Sequence, residues 1–301
     1  MSKRTQVGAA SESLGHSEAA DHPRDGRVSG LIGQAGPQRV LTYHEILPSA
    51  SQYVYRVTNA QFQEHLSMIS SSAGEITHDG RLPGITFDDG HRSNYENAFP
   101  LLEQFGQKAT FFVLAGRVGS TANYISWNQA RQMVAAGHHV QSHGWSHRLL
   151  TQCSPRELKE ELARSKRELE DRLGKEVVSV SVPGGRWNKR VVAACVRAGY
   201  KFILHSNPWV RPRISDGVRL SGRLMVTGRM DARALKTLMQ ITGLRRLYFR
   251  AKYDAKERVR YVLGDRVYHR LWCWLANGTP EEGMEVQVDG RKSGEGESGR
   301  A

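Results

Sequence analysis

Six short apolar runs, at 40–43, 84–87, 108–114, 139–142, 177–182 and 201–204, punctuate the first two thirds of the chain. Each is short enough for a buried strand and too short for a stable helix. Helical patterns fill most of the intervals. Those over 94–105, after Ser126 and after Asn188 stop before Gly106, Gly137 and Gly199, where a left-handed residue closes a helix. The clearest helix opens at Ser154-Pro155-Arg156-Glu157, a capping box with proline in the first turn, and ends at Gly174. Its Leu158, Leu162, Leu169 and Leu173 form one stripe, which marks core rather than function. Strands that alternate with helices in this way line up in parallel, because a parallel pair needs a long crossover. The expected fold class is α/β, a mostly parallel sheet or barrel.

The pattern changes at both ends. Residues 1–38 are rich in Ser, Gly, Ala and charge without any period, and 279–301 read the same way, so both are expected to be disordered tails. The α/β unit is placed at 39–230. Residues 231–278 are wholly helical in pattern and form a C-terminal appendage. Charge is concentrated there: between His205 and Leu275 stand 16 Lys and Arg against 5 Asp and Glu, in a chain of net charge +13. Such an excess suits an anionic partner, or simply a solvated face. No helix-turn-helix, zinc-finger or RNA-stacking signature is present, so no nucleic acid is expected. Arginines interleaved with Tyr248, Phe249, Tyr253 and Tyr261 also suit peripheral contact with an acidic membrane surface. Cys153, Cys195 and Cys273 are too few and scattered for a disulfide framework. No stretch is long and apolar enough for a membrane span, and the first 30 residues lack the apolar region of a signal peptide. These features together predict a cytoplasmic protein.

Two places carry chemistry. In Ile85-Thr86-Phe87-Asp88-Asp89-Gly90 a strand runs into two carboxylates, which serve one pocket only if the chain bends there, as Gly90 permits. An ordinary strand-to-loop turn fits the same residues. In Ser142-His143-Gly144-Trp145-Ser146-His147, two imidazoles four residues apart are placed to converge on one metal, although such a pair also arises incidentally. Both features follow strands at the same end of the sheet, where α/β barrels keep their active sites.

Thr86-Phe87-Asp88-Asp89-Gly90 followed by His143-x-x-x-His147 resembles the first two motifs of the polysaccharide deacetylase family, the NodB-homology domain or carbohydrate esterase family 4. The resemblance runs from Leu41-Thr42-Tyr43-His44, similar to the opening strand of a branch acting on exopolysaccharides and lipid-linked sugars, to about Trp209. It implies a distorted (β/α) barrel that removes acetyl groups from N-acetylated sugars with a divalent metal. Asp89, His143 and His147 would be the metal ligands and Asp88 the general base. Zn2+ is the foremost metal, and the same donors accept Co2+, Ni2+ or Mn2+.

The third family motif, Arg-x-Pro-aromatic-Gly, is altered. Ser181 stands at the arginine position of Ser181-Val182-Pro183-Gly184-Gly185-Arg186-Trp187, and Arg186 reaches back only if the loop folds that way. Pro183, Gly184 and Trp187 are expected at the substrate, with the Gly184 N–H as an oxyanion donor. The later motifs are not complete. His205 is the expected general acid, at the end of its strand, and His44 a pocket residue. Trp145 and Trp209, with Trp187, are candidate platforms for sugar rings. The expected function is N-deacetylation of a lipid-linked or nucleotide-linked sugar precursor. Its rivals are a catalytically idle carbohydrate-binding homologue and an anionic-surface binding protein.

Overall fold

The computed structural model describes residues 40–71 and 84–276; both expected tails lie outside the described residues. Its strands are β1 (Val40–Tyr43), β2 (Glu45–Leu47), β3 (Arg56–Thr58), β4 (Gly84–Phe87), β5 (Ala109–Val113) and β6 (His139–Ser142). They continue with β7 (Ser179–Ser181), β8 (Phe202–His205), β9 (Arg213–Ser215), β10 (Val218–Gly222) and β11 (Leu224–Met225). Nine of these form one sheet in the order β11-β1-β4-β5-β6-β7-β8-β10-β9, parallel apart from the β9–β10 hairpin. The short β2 and β3 pair separately.

The sheet is rolled. Val40 of β1, Phe112 of β5 and Leu204 of β8 pack together although none of their strands are neighbours. The larger core, with Phe87, Phe111, Val113 and Val180, lies under the helices. Inside and outside faces thus alternate along β5, where Phe111 and Val113 point to the helices and Phe112 points inward. One segment links the two sides of the roll: Arg219–Gly222 pair with β8, and Leu224–Met225 pair with β1. Arg223 stands at the change of partner, its N–H donating to the His205 carbonyl.

The helices are α1 (Asn59–Ser71), α2 (Phe99–Gln104), α3 (Trp127–Ala135), α4 (Pro155–Lys159), α5 (Ser165–Leu173), α6 (Lys189–Arg197), α7 (Ala232–Met239) and α8 (Gly243–Ala276). Ser126 and Ser154 close capping boxes with Gln129 and Glu157, and Gly174 ends α5 in the left-handed conformation. Leu158, Leu162 and Leu169 are buried, each contributing about 1.5–3 kcal/mol by leaving water. The pattern expected as one helix after Ser154 is interrupted by a π-helical turn, Glu160–Arg164, and a second such turn, Asn94–Ala98, precedes α2. Both turns aim polar side chains at the site described next. Of the two C-terminal helices, α7 joins the main core through Leu235 and Met239, and α8 breaks at Gly264. No described helix is long and apolar enough to cross a membrane.

Candidate active site

Asp88 and Asp89 leave the C-terminal end of β4, and His143 leaves that of β6. Asp89 has φ +73° and Gly90 φ +74°, so the chain turns sharply and both carboxylates face the interior, where both are buried. A side chain at Gly90 would also meet Val113 Cβ at 3.1 Å. His147 has φ +70°. Two of three candidate ligands thus hold a left-handed backbone that costs an L-residue roughly 1–2 kcal/mol, strain of the kind that gathers at functional sites.

One ligand atom each from Asp89, His143 and His147 lies within 4.8 Å of the others. Asp89 Oδ1 is 3.2 Å from His143 Nε2 and 3.3 Å from His147 Nε2. Despite this closeness, Oδ1 is buried without a hydrogen bond. His143 Nδ1 lies 2.8 Å from the Ser181 carbonyl, which can only accept, so the Nδ1 proton is committed there. The Nε2 lone pair then faces the carboxylate, and two acceptors this close need a positive species between them. Burial pulls His147 down to about 4 despite Asp89, so its imidazole is neutral at neutral pH and free to ligate. Burial also works against a charged His143, but Asp88 and Asp89 outweigh it and raise that group. For Asp89 burial acts upward, and His147 and His143 more than reverse it. The donor set of one carboxylate and two imidazoles suits a Zn-like divalent cation.

The loop between the histidines is fixed by Glu161, presented by the π-helical turn. Its Oε2 accepts from the Trp145 and Ser146 N–H groups at 2.9 and 3.0 Å, and Ser146 Oγ donates to Oε1. Gly144, at φ +85°, leaves room for this carboxylate, which a Cβ would approach at 3.1 Å. Glu161→Ala removes every acceptor for these two N–H groups and frees the loop. We expect metal affinity to fall 10–100-fold, the usual effect of losing such a support, checked by competition with a chromophoric chelator.

Asp88 is gripped by an arginine that sequence reading missed. Arg223 Nη1 donates to Asp88 Oδ1 at 2.8 Å and Nη2 to Oδ2 at 2.7 Å. Ser181 Oγ donates to the same Oδ2 at 3.0 Å and accepts from Arg223 Nη2 at 2.6 Å. Arg223 is 2 % exposed, crosses the inside of the sheet over the Phe112 ring and donates to Thr86 Oγ1. Burial alone would raise Asp88, but Arg223 and then His143 hold it below the usual carboxylate range. Arg186 does not take this place; it lines a cavity together with Trp187 and His205.

His44, just past β1, is buried with its ring stacked on Tyr55 at 4.7 Å. Asn94, from the other π-helical turn, donates to the His44 carbonyl at 2.7 Å. Asp88, Asp89 and His147 all feel the His44 imidazole. His205 is also buried, and its Nδ1 accepts from the Asn207 N–H. Burial, then Arg223 and Arg213, push it down to about 4. Pro183 and Gly184 form the turn after β7. Of the tryptophans, Trp145 lies under Arg164, and Trp209 is stacked on Phe249 and lines the cavity. Trp187 lies beside His205 on the cavity wall.

Comparison with known proteins agrees with this geometry. Residues 76–203 match the family described as polysaccharide deacetylase. YxkH of Bacillus subtilis is 26% identical over 209 residues, covering 65% of this chain and 73% of its own length. The chitooligosaccharide deacetylase of a Bradyrhizobium strain is 30% identical over 135 residues, 43% of this chain and 59% of that one. In fold, the chain resembles the Streptococcus pyogenes deacetylase PplD, solved in complex with acetate. That match has a TM-score of 0.60 at 22% identity and covers 69% of this chain and 99% of PplD.

Proposed function

We propose that this chain, whose residues 76–203 match the polysaccharide deacetylase family, is a metal-dependent hydrolase removing the acetyl group from an N-acetylated sugar. Asp89, His143 and His147 are the residues that would hold a divalent cation, which when bound lowers the pKa of water and polarises an amide carbonyl. Asp88, ionised and turned by Arg223 and Ser181, accepts the proton of the attacking water. The Gly184 N–H is assigned to the developing oxyanion. For the proton given to the departing amine we choose His44 over His205. His44 directly follows Tyr43, whose carbonyl accepts from the Asp88 N–H at 3.0 Å, whereas His205 is neutral at neutral pH and faces Arg223 and Arg213.

One observation carries the reading: the two-pronged Arg223–Asp88 pair stands beside three converging ligand atoms. It supplies an oriented base although Ser181 occupies the usual arginine position, which removes the main ground for an idle sugar-binding homologue. The substrate is read as a sugar on a lipid or nucleotide precursor, because the basic segment after His205 suits a phosphate-bearing carrier. Cys153 and Cys195 are buried and not joined in a disulfide, which accords with a cytoplasmic setting.

Acetate release from neutral and carrier-linked N-acetyl sugars, measured on metal-loaded protein, tests the activity. No release from any of them, with metal bound, refutes it. His44→Asn is expected to lower kcat by roughly 10²-fold, the ordinary scale of a lost general acid. His205→Asn is expected to lower it much less, and the reverse order would return the role to His205.

A further inference from the structure

A cavity of about 900 Å³ opens between the C-terminal rim of the sheet and the first turns of α8. Arg186, Arg211, Arg213, Arg246, Arg250 and Arg260 line it against a single carboxylate, Glu257, which is itself paired with Arg260. The helix is fastened over this space. Arg246 Nε donates to the Trp209 carbonyl at 3.3 Å, Tyr253 Oη lies 3.3 Å from Ser206 Oγ, and Phe249 stacks on Trp209 at 4.9 Å. Across the cavity, the Arg213 guanidinium sits 4.7 Å over the Trp187 ring, whose centroid is 5.8 Å from that of His205.

Guanidinium forks match phosphate oxygens two at a time, and several converging forks match a ligand with several such oxygens. Glu257 is paired with Arg260 and Asp254 lies 3.7 Å from Arg250, but the cations still outnumber these carboxylates, and a neutral sugar does nothing to balance the surplus. Burial and the neighbouring Arg211 and Arg250 hold Arg246 below the ordinary guanidinium range, a sign that these charges crowd one another. The cavity is also joined to the catalytic carboxylates. His205 forms part of its wall and pairs in register with Gly222, the residue before Arg223, which grips Asp88.

We propose that this cavity is a phosphate-binding subsite that takes the diphosphate of a carrier-linked N-acetyl sugar and leaves the sugar directed toward Asp88. The proposal rests on the deacetylase reading for the identity of the sugar, but not for the binding of phosphate. Nucleotide and polyprenyl carriers share this diphosphate chemistry. The exposed Leu244 and Leu247 on the rim offer an apolar surface beside the arginines, which only the second carrier would use.

Calorimetric titration with inorganic pyrophosphate tests the site directly, in the metal-loaded protein at about 150 mM salt, where diffuse surface attraction is screened. Arg213→Gln/Arg246→Gln is expected to weaken binding at least tenfold. Arg229→Gln/Arg233→Gln, which removes the same charge from exposed positions outside the cavity, is expected to change it less than twofold. Should the first pair not fold, Arg211→Gln/Arg250→Gln replaces it. Equal weakening by both kinds of variant, or no binding at millimolar pyrophosphate, overturns the proposal. Tighter binding of farnesyl diphosphate than of pyrophosphate supports the lipid carrier, and tighter binding of a uridine-diphosphate N-acetyl sugar the nucleotide. Pyrophosphate binding without acetate release from any sugar leaves the subsite standing and removes the deacetylase reading. Acetate release without pyrophosphate binding does the opposite.

Discussion

Asp88→Asn is expected to lower kcat for acetate release by about a thousandfold, within the 10²–10⁴ range for a lost general base, and to leave metal binding at the Asp89, His143 and His147 cluster intact. The substitution keeps an oxygen for Arg223 and nearly the same volume, but it removes the charge that accepts the proton. Because Arg223 then loses its counter-charge in a buried position, Tm falls too, and the assay belongs well below the new transition. Steady-state kinetics alongside metal analysis decide the matter. An Asn variant with more than a tenth of the parent activity and a full complement of metal would show that Asp88 is not the base.

The second large effect falls on Arg223→Met. Removing one member of a buried ion pair costs roughly 3–5 kcal/mol, because the remaining charge is left without a partner in a medium that solvates it poorly. Denaturant unfolding should therefore show a loss of that size, with kcat lower by about 10²-fold, since Asp88 is no longer turned toward its water. Arg223→Lys recovers little, because a single ammonium cannot bridge both carboxylate oxygens. In Asp88→Asn/Arg223→Met the stability losses should sum to less than the two single values, since no buried charge is left alone. Additive losses would mean that the two side chains do not act as a pair, contrary to the 2.7 and 2.8 Å contacts.

Much of this architecture was legible in the chain. The six apolar runs became β1 and β4–β8, with ends within two residues of those expected, because short buried strands and glycine-ended helices are local patterns. The convergence of Asp89, His143 and His147 was legible for a related reason: strand-end residues of a parallel sheet emerge on one rim. Other features were not legible. Strands β10 and β11 escaped notice because five and two residues, interrupted by Arg223, give almost no periodicity. With them went the partner of Asp88, which lies 135 positions away, so that Arg186, nearer in sequence, drew attention instead. The π-helical turns were invisible as well, since a single inserted residue barely disturbs a leucine stripe, yet one of them delivers Glu161 to the metal-site loop. His44 and His205 could not be ranked without coordinates, since each simply follows an apolar strand.

The position of Arg223 between two edge pairings has a consequence for the order in which the enzyme matures. During synthesis the residues up to His205 leave the ribosome first, carrying both aspartates and both ligand histidines. Until the next stretch emerges and docks against the oldest strand, that nascent intermediate has no cation to steer its proton acceptor. On the role proposed for Asp88, hydrolytic competence therefore arrives only once this late-made segment has closed the roll, and a polypeptide that lacks it stays inert.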